Sequence, residues 1–363
     1  MKKILIITST NGHKSIAIAI REQLEQEYTV NIETYISNEL QKSYLPFYLF
    51  FPGLFRVFFY LGQIPFFSRF FKYRWRILFT PHITSYIREH DPDLVINTFG
   101  FFSDSCGIVC EKQNIPYINV IADPFTFYPS FISQKAVSNL FFDASTFATA
   151  QKKGIQASQI YASGWFTQKK YFSKFSVDEI REKLQLPTKT LTLLLCGGSE
   201  GTFHILKVLF ALLGAKGTCT IIVACGKNAL LYMLVQKIQL NFFSSKMIRL
   251  YPIHFTAELD QYIKASDIVV GKAGPNLLFE AVAARKPFLA VTHISGQEDG
   301  NLSFILDKKI GFVEENPIRL RAVLQRIFEN PEILEEFRTP LEDIASYNYD
   351  SGQRLREHLK KIL

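Results

Sequence analysis

Five cysteines are scattered through 363 residues, and none forms a CxxC pair or a zinc-type spacing. A disulfide scaffold and a structural zinc site are therefore excluded. Reduced, mostly buried thiols are expected at Cys106, Cys110, Cys196, Cys219 and Cys225. No repeat and no low-complexity tract is present. The opening MKKILIITST is too short an apolar run for a secretory signal and turns polar at once, so the expected location is the cytosol or the cytoplasmic face of its membrane. One long stretch, residues 44–79, holds no acid at all. It carries eleven phenylalanines, four tyrosines and Trp75, interleaved with Arg56, Arg69, Lys72, Arg74 and Arg76. A membrane-crossing helix needs about 18 clean apolar residues, and prolines at 46, 52 and 65 with Arg56 interrupt every run before that. Interfacial helices that bury aromatic faces and direct cations at anionic headgroups are the expectation. Single-stranded nucleic acid is set aside because phenylalanine dominates and no RNA-binding motif accompanies it.

What is present describes a folded chain of roughly two domains, with 48% apolar and 20% charged residues. A net charge of +8 favours anionic partners such as acidic lipid or a phosphorylated substrate.

The most legible stretch is 272–301, KAGPNLLFEAVAARKPFLAVTHISGQEDGN. DIVVG at 267–271 reads as a short buried strand, and Gly274, Pro275 and Asn276 open a helix. Its start aims free N–H groups at the strand's carboxyl end, a natural phosphate site beside which Lys272 adds a full charge. Glu280, one turn beyond Asn276, is placed to accept from a ribose diol. A second strand, PFLAV, then delivers Gln297, Glu298 and Asn301, amides and a carboxylate suited to sugar hydroxyls. Diphosphate, ribose and hexose add up to a nucleotide-sugar site.

This stretch resembles the donor-binding signature of glycosyltransferase family 28, closest to its diacylglycerol glycosyltransferase and monogalactosyldiacylglycerol synthase branch in KAGP, the Glu280-Ala281 pair and GQEDGN. Asn276 and Leu277 stand where that branch usually has glycine and threonine. The resemblance implies an α/β GT-B fold, two doubly wound Rossmann-like domains facing a central cleft. Residues 1–172 are expected to bind the acceptor and the membrane. Residues 173–342 are expected to bind the UDP-sugar, and 343–363 to cross back to the first domain.

Other motifs extend the resemblance. NGHKSIAIAI follows a strand at 4–7 and is similar to the family's opening glycine-histidine motif. Gly12 allows close approach of a ligand, and the resemblance makes His13 a candidate catalytic base or acceptor-orienting group. DLVIN at 93–97 leads to Thr98-Phe99, where the family commonly has a histidine in place of Phe99. YINVIA at 117–122 leads to Asp123, which matches the family's acidic residue near the acceptor and is a candidate to act as base itself or to polarise His13. Gly164-Trp165-Phe166 replaces the usual glycine-x-proline at the exit from the first domain, and residues 174–190 read as a polar linker. CGGSEG at 196–201 matches GGSxG, so Gly198 and Ser199 are expected on the donor phosphates, opposed to the Lys272 turn across the cleft. Phe255 aligns with the family's aromatic against uracil.

No DxD and no histidine-acid cluster accompanies the donor loop, so no metal and no cofactor is expected and fixed N–H groups with Lys272 would stabilise the leaving diphosphate. The implied activity is inverting transfer of a hexose from a UDP-sugar to a lipid such as diacylglycerol. Transfer of N-acetylglucosamine to a polyprenyl-linked acceptor, epimerisation of a UDP-sugar, and binding without turnover stand as alternatives.

Overall fold

A computed structural model describes residues 1–36, 52–197, 204–213, 215–242 and 247–363. Residues 44–51 of the aromatic stretch, and Gly198 and Ser199 of the expected phosphate turn, lie outside the described residues. The chain divides into two compact units. One comprises Met1–Lys169, Ile294–Gly300 and Tyr347–Leu363; the other comprises Lys170–His293 and Asn301–Ser346.

The first unit is built on β1 (Lys3–Ser9), β2 (Thr29–Tyr35), β3 (Leu94–Asn97), β4 (Tyr117–Val120), β5 (Ser138–Phe141) and β6 (Ile160–Ala162). They form one parallel sheet in the order β2-β1-β3-β4-β5-β6. Short runs of branched residues such as Ile4, Leu5, Ile6 and Ile7 are fully buried on both faces, as a parallel sheet covered by helices demands. The chain leaves β1 for β2 on one side and then β3 on the other. The gap between β1 and β3 is thus the point where strand order reverses, and loops from the strands' carboxyl ends open there.

Helix Pro65–His90 follows helix Pro52–Gln63 and carries two apolar faces. Phe79, Ile83 and Ile87 are buried in the core with Leu5, Ile7, Val95 and Phe102. The opposite face leaves Phe66, Phe70, Tyr73 and Ile77 exposed, at helical spacing. Among the described residues no helix is long and apolar enough to cross a membrane.

Helix Ser351–Ile362, with Leu355 and Leu359 buried, belongs to this same unit. Arg354 Nε donates to Ser163 O at 3.1 Å, and Trp165 N–H donates to Asn348 Oδ1 at 2.9 Å. Gly164 has φ +78°, and a Cβ there would meet Arg354 Nη2 at 2.5 Å. The positive φ is the feature that favours glycine here.

The second unit holds β7 (Leu191–Cys196), β8 (Cys219–Ala224), β9 (Ile248–Ile253), β10 (Ile268–Lys272), β11 (Phe288–Thr292) and β12 (Gly311–Val313). Its parallel order is β12-β11-β10-β7-β8-β9. Here the reversal falls between β7 and β10. The expected linker at 174–190 is not all linker: Val177–Lys183 is helical, and Ser176 caps it by accepting from Glu179 N–H. Burial of Ile180 gives that polar sequence its reason to fold. Arg181, 5% exposed, pins it by donating to Asp267 and to the Ala265 carbonyl. Two doubly wound parallel-sheet units make this an α/β protein of the GT-B type.

Candidate active site

In the second unit the expected phosphate turns leave neighbouring strands. Gly271 on β10 pairs with Cys196 on β7, so the Cys196-Gly197 and Lys272–Asn276 exits emerge side by side at the switch point. This corrects the expectation of two nests opposed across a cleft, since both belong to one sheet edge. Gly271 permits the approach: a Cβ there would stand 2.9 Å from the Cys196 carbonyl oxygen.

The register of β10 against β11 shifts between Gly271 and Lys272. The chain then closes tightly, with Gly274 N–H donating to Lys272 O at 2.7 Å, and helix Pro275–Ala283 begins. Proline at the first helical position costs no hydrogen bond and presets φ. Asn301, 2% exposed, braces the turn by donating to Ala273 O at 2.7 Å, and its own Oδ1 has no hydrogen-bond partner.

Glu280 lies on this helix near the end of β7. Burial and then the Glu280 charge raise the pKa of the Tyr171 phenol, whose hydroxyl hydrogen-bonds that carboxylate. The same two causes raise the Cys196 thiol. The thiols of all five cysteines are free and buried, as expected. His204, at the start of helix His204–Leu212, donates from Nε2 to Cys196 O at 3.0 Å. Burial, followed by the positive charges of Lys272 and Lys207, outweighs that bond and lowers its pKa to about 4. His204 and Tyr171 escaped the sequence reading; they carry no motif, and only the sheet edge brings them to Lys272 and Glu280. Asn276 is partly exposed on the first helical turn. Phe255 is 59% exposed, with Lys227 Nζ 5.5 Å from its ring centre, so it is not a core residue.

The first unit gathers the other expected residues at its own switch point. Helix Gly12–Leu24 starts directly after Asn11, whose φ is +57°, and Gly12 and His13 are half-buried on its first turn. His13 Nδ1 lies 2.9 Å from Thr98 O, and Phe99 meets the imidazole edge-on at 4.8 Å between ring centres. A carbonyl can only accept, so Nδ1 carries the proton and Nε2 keeps its lone pair. Burial, opposed by this bond, lowers the His13 pKa to about 4.

Asp123, 7% exposed, follows β4 and accepts from Gln297 Nε2 at 2.8 Å. The Gln297 loop, Ile294–Gly300, groups with this first unit. Glu298, expected to meet a sugar, is instead 3% exposed and accepts from Ile294 N–H at 2.7 Å, so it staples its own loop.

The aromatic-basic residues divide. Arg56, Arg69 and Arg74 are exposed, and Arg76 is half-buried with its guanidinium 5.2 Å from the Tyr73 ring centre. Trp75 was expected at the membrane but stacks on Phe79 at 5.7 Å and meets Phe101 at 4.8 Å, so it serves the core. Lys72 is half-buried; burial lowers its pKa against the pull of Asp104.

Among the described residues no cluster of histidine, cysteine or carboxylates could hold a metal ion. Two sheet edges, one with a cation and a helix start and one with a histidine and an aspartate, are suited to hold an anionic leaving group and to accept a proton.

Comparison with known proteins gives this arrangement a family. The monogalactosyldiacylglycerol (MGDG) synthase model matches residues 13–165, and the glycosyltransferase family 28 C-terminal domain model matches residues 192–337. The processive diacylglycerol beta-glucosyltransferase of Bacillus licheniformis is 23% identical over 370 residues, covering 96% of this chain and 92% of that protein. Among solved structures, MurG of Acinetobacter baumannii superposes with a TM-score of 0.66 at 16% identity, covering 99% of both chains. Anabaena HepE in complex with UDP-glucose gives 0.62 at 13% identity, covering 99% of this chain and 100% of that one. With one family model on each half and a GT-B fold beneath both, the chain belongs to glycosyltransferase family 28.

Proposed function

We propose that the chain is a UDP-sugar-dependent hexosyltransferase that glycosylates diacylglycerol, or a lipid like it, at an anionic membrane surface. The observation that carries this is the switch point of the second sheet, where Lys272, the start of helix Pro275–Ala283 and Glu280 come together beside the end of β7. Lys272 and the helix N–H groups hold the diphosphate and take up its charge as it leaves. Glu280 accepts from the ribose hydroxyls, Asn276 lines the phosphate turn and Phe255 offers a face to the uracil. Asn301, whose buried Oδ1 has no hydrogen-bond partner in the protein, accepts from a sugar hydroxyl.

The acceptor hydroxyl loses its proton to His13 Nε2 or to Asp123, and direct attack inverts the anomeric carbon. The related Bacillus licheniformis enzyme is named for diacylglycerol and glucose, and the HepE complex holds UDP-glucose; both support this donor and acceptor class. The exposed stripe Phe66, Phe70, Tyr73 and Ile77, flanked by Arg69 and Arg74, supports docking on an anionic membrane surface. An epimerase working on soluble UDP-sugars has no use for that stripe.

The test is to incubate the protein with vesicles of diacylglycerol and phosphatidylglycerol and with UDP-glucose, UDP-galactose or UDP-N-acetylglucosamine, then weigh the lipids. A hexosyl-diacylglycerol with release of UDP is expected. Epimerised UDP-sugar, or no product with any donor, overturns the proposal.

A further inference from the structure

Three asparagines stand side by side on neighbouring strands of the first sheet. Asn97 on β3 pairs in register with Asn119 on β4, and Asn119 with Asn139 on β5. All three are 0% exposed. Buried amides are costly unless every group is satisfied, and these are linked end to end. Asn97 Nδ2 donates to Asn119 Oδ1 at 3.0 Å, and Asn119 Nδ2 donates to Asn139 Oδ1 at 2.9 Å. Asn139 Nδ2 closes the row on Ser133 O at 2.9 Å. The Tyr117 hydroxyl donates to the middle amide at 3.0 Å, and the Ser103 hydroxyl lies between that amide oxygen at 2.9 Å and the Phe131 carbonyl at 2.8 Å.

The open end of this ladder grips the backbone beside His13. Asn97 Oδ1 accepts from Phe99 N–H at 3.0 Å while its Nδ2 donates to Phe99 O at 3.0 Å. Thr98 is thereby held between a clasped residue and the strand. Its N–H donates to Ile7 O at 3.1 Å, and its hydroxyl donates to Thr8 Oγ1 at 2.7 Å. Its carbonyl, in the same peptide as the clasped Phe99 N–H, faces His13 Nδ1 at 2.9 Å.

We propose that Asn97, locked by Asn119 and Asn139, is a positioning residue that sets the tautomer of His13 by fixing the Thr98 carbonyl. An imidazole protonated at Nδ1 presents a bare Nε2, the form that can take a proton from an acceptor hydroxyl; the other tautomer cannot. This rests on the reading of His13 as a base, and it explains why a sheet core built for apolar side chains carries a row of amides.

The test combines nitrogen NMR of histidine-labelled full-length protein with kinetics. In the wild type, His13 should show a protonated Nδ1 and an unprotonated Nε2 at pH 7. N97S removes the clasp, and N139S breaks the far end of the ladder; both should move His13 toward a mixture of tautomers, N97S more. In N97S, kcat should fall roughly 10- to 100-fold with the donor KM unchanged, the size typical of groups that orient a histidine. If N97S does not fold, N139S carries the same comparison. An unchanged His13 tautomer in the variants that fold overturns the proposal. A changed tautomer with unchanged kcat supports the positioning and overturns the role of His13 as base.

Discussion

Gln297 donates its side-chain amide to Asp123 at 2.8 Å, joining the loop Ile294–Gly300 to the segment after β4. In the sequence these residues belong to motifs read for different substrates, one for the sugar and one for the acceptor. Their contact makes the state of one depend on the other. A hydrogen bond to a charged group is worth about 1.5 kcal/mol. Gln297→Ala should remove this tie and speed solvent exchange of the backbone amides of 294–300 by roughly 10-fold. Hydrogen exchange of wild type and variant checks it.

Gly296 should resist substitution. Its φ is +88°, and a Cβ would stand 2.7 Å from two carbons of the Phe59 ring. Gly296→Ala should cost about 1–3 kcal/mol from backbone strain and crowding together. Phe59→Leu in the same chain should recover part of it. Urea midpoints of the single and double variants check this.

His13 and His204 each have a pKa lowered to about 4, mainly by burial. Because the folded value lies below the unfolded one near 6.5, the unfolded chain binds more protons between those limits. Stability should be full above about pH 6.5 and should fall as the pH drops toward 4. At pH 5 each histidine should cost at most about 2 kcal/mol relative to pH 7. His13→Gln should reduce the difference between denaturant melts at the two pH values.

Membrane docking should depend on a stripe, not on composition. Phe66 is 74% exposed and Phe70 53%, one helical turn apart. The double change to serine should lower partitioning onto phosphatidylglycerol vesicles by roughly 10- to 100-fold, and raised salt should weaken the remainder. Flotation of wild type and variant measures it. Trp75→Phe, in the core face, should leave flotation unchanged.

Much of the second sheet was legible because its strands hold compact apolar runs, LLLC at 193–196 and IVV at 268–270 among them, followed by glycines. The first sheet was less so. β2, TVNIETY, alternates with polar residues and lies at an edge, and β5, SNLF, hides its strand character behind Asn139, whose partners are known only from the register. The same limit applies at the site. Lys272, Gly274 and Glu280 declare themselves within one short motif. Tyr171 and His204 are brought there by chain segments distant in sequence. Within the aromatic stretch Trp75 and Phe66 have equal claim to the membrane; only the helix's rotation assigns one to the core and the other to the exposed face.

The central claim, that the β7 and β10 edge holds the donor's diphosphate and ribose, is tested most directly by calorimetric titration of UDP. Glu280→Gln keeps an acceptor for the Tyr171 hydroxyl but removes the charge, and Lys272→Met removes the cation. Each should weaken UDP binding by roughly 10- to 150-fold, the value of a charge-assisted hydrogen bond of about 1.5–3 kcal/mol. UDP affinity unchanged in both variants, with both folded, would contradict the account.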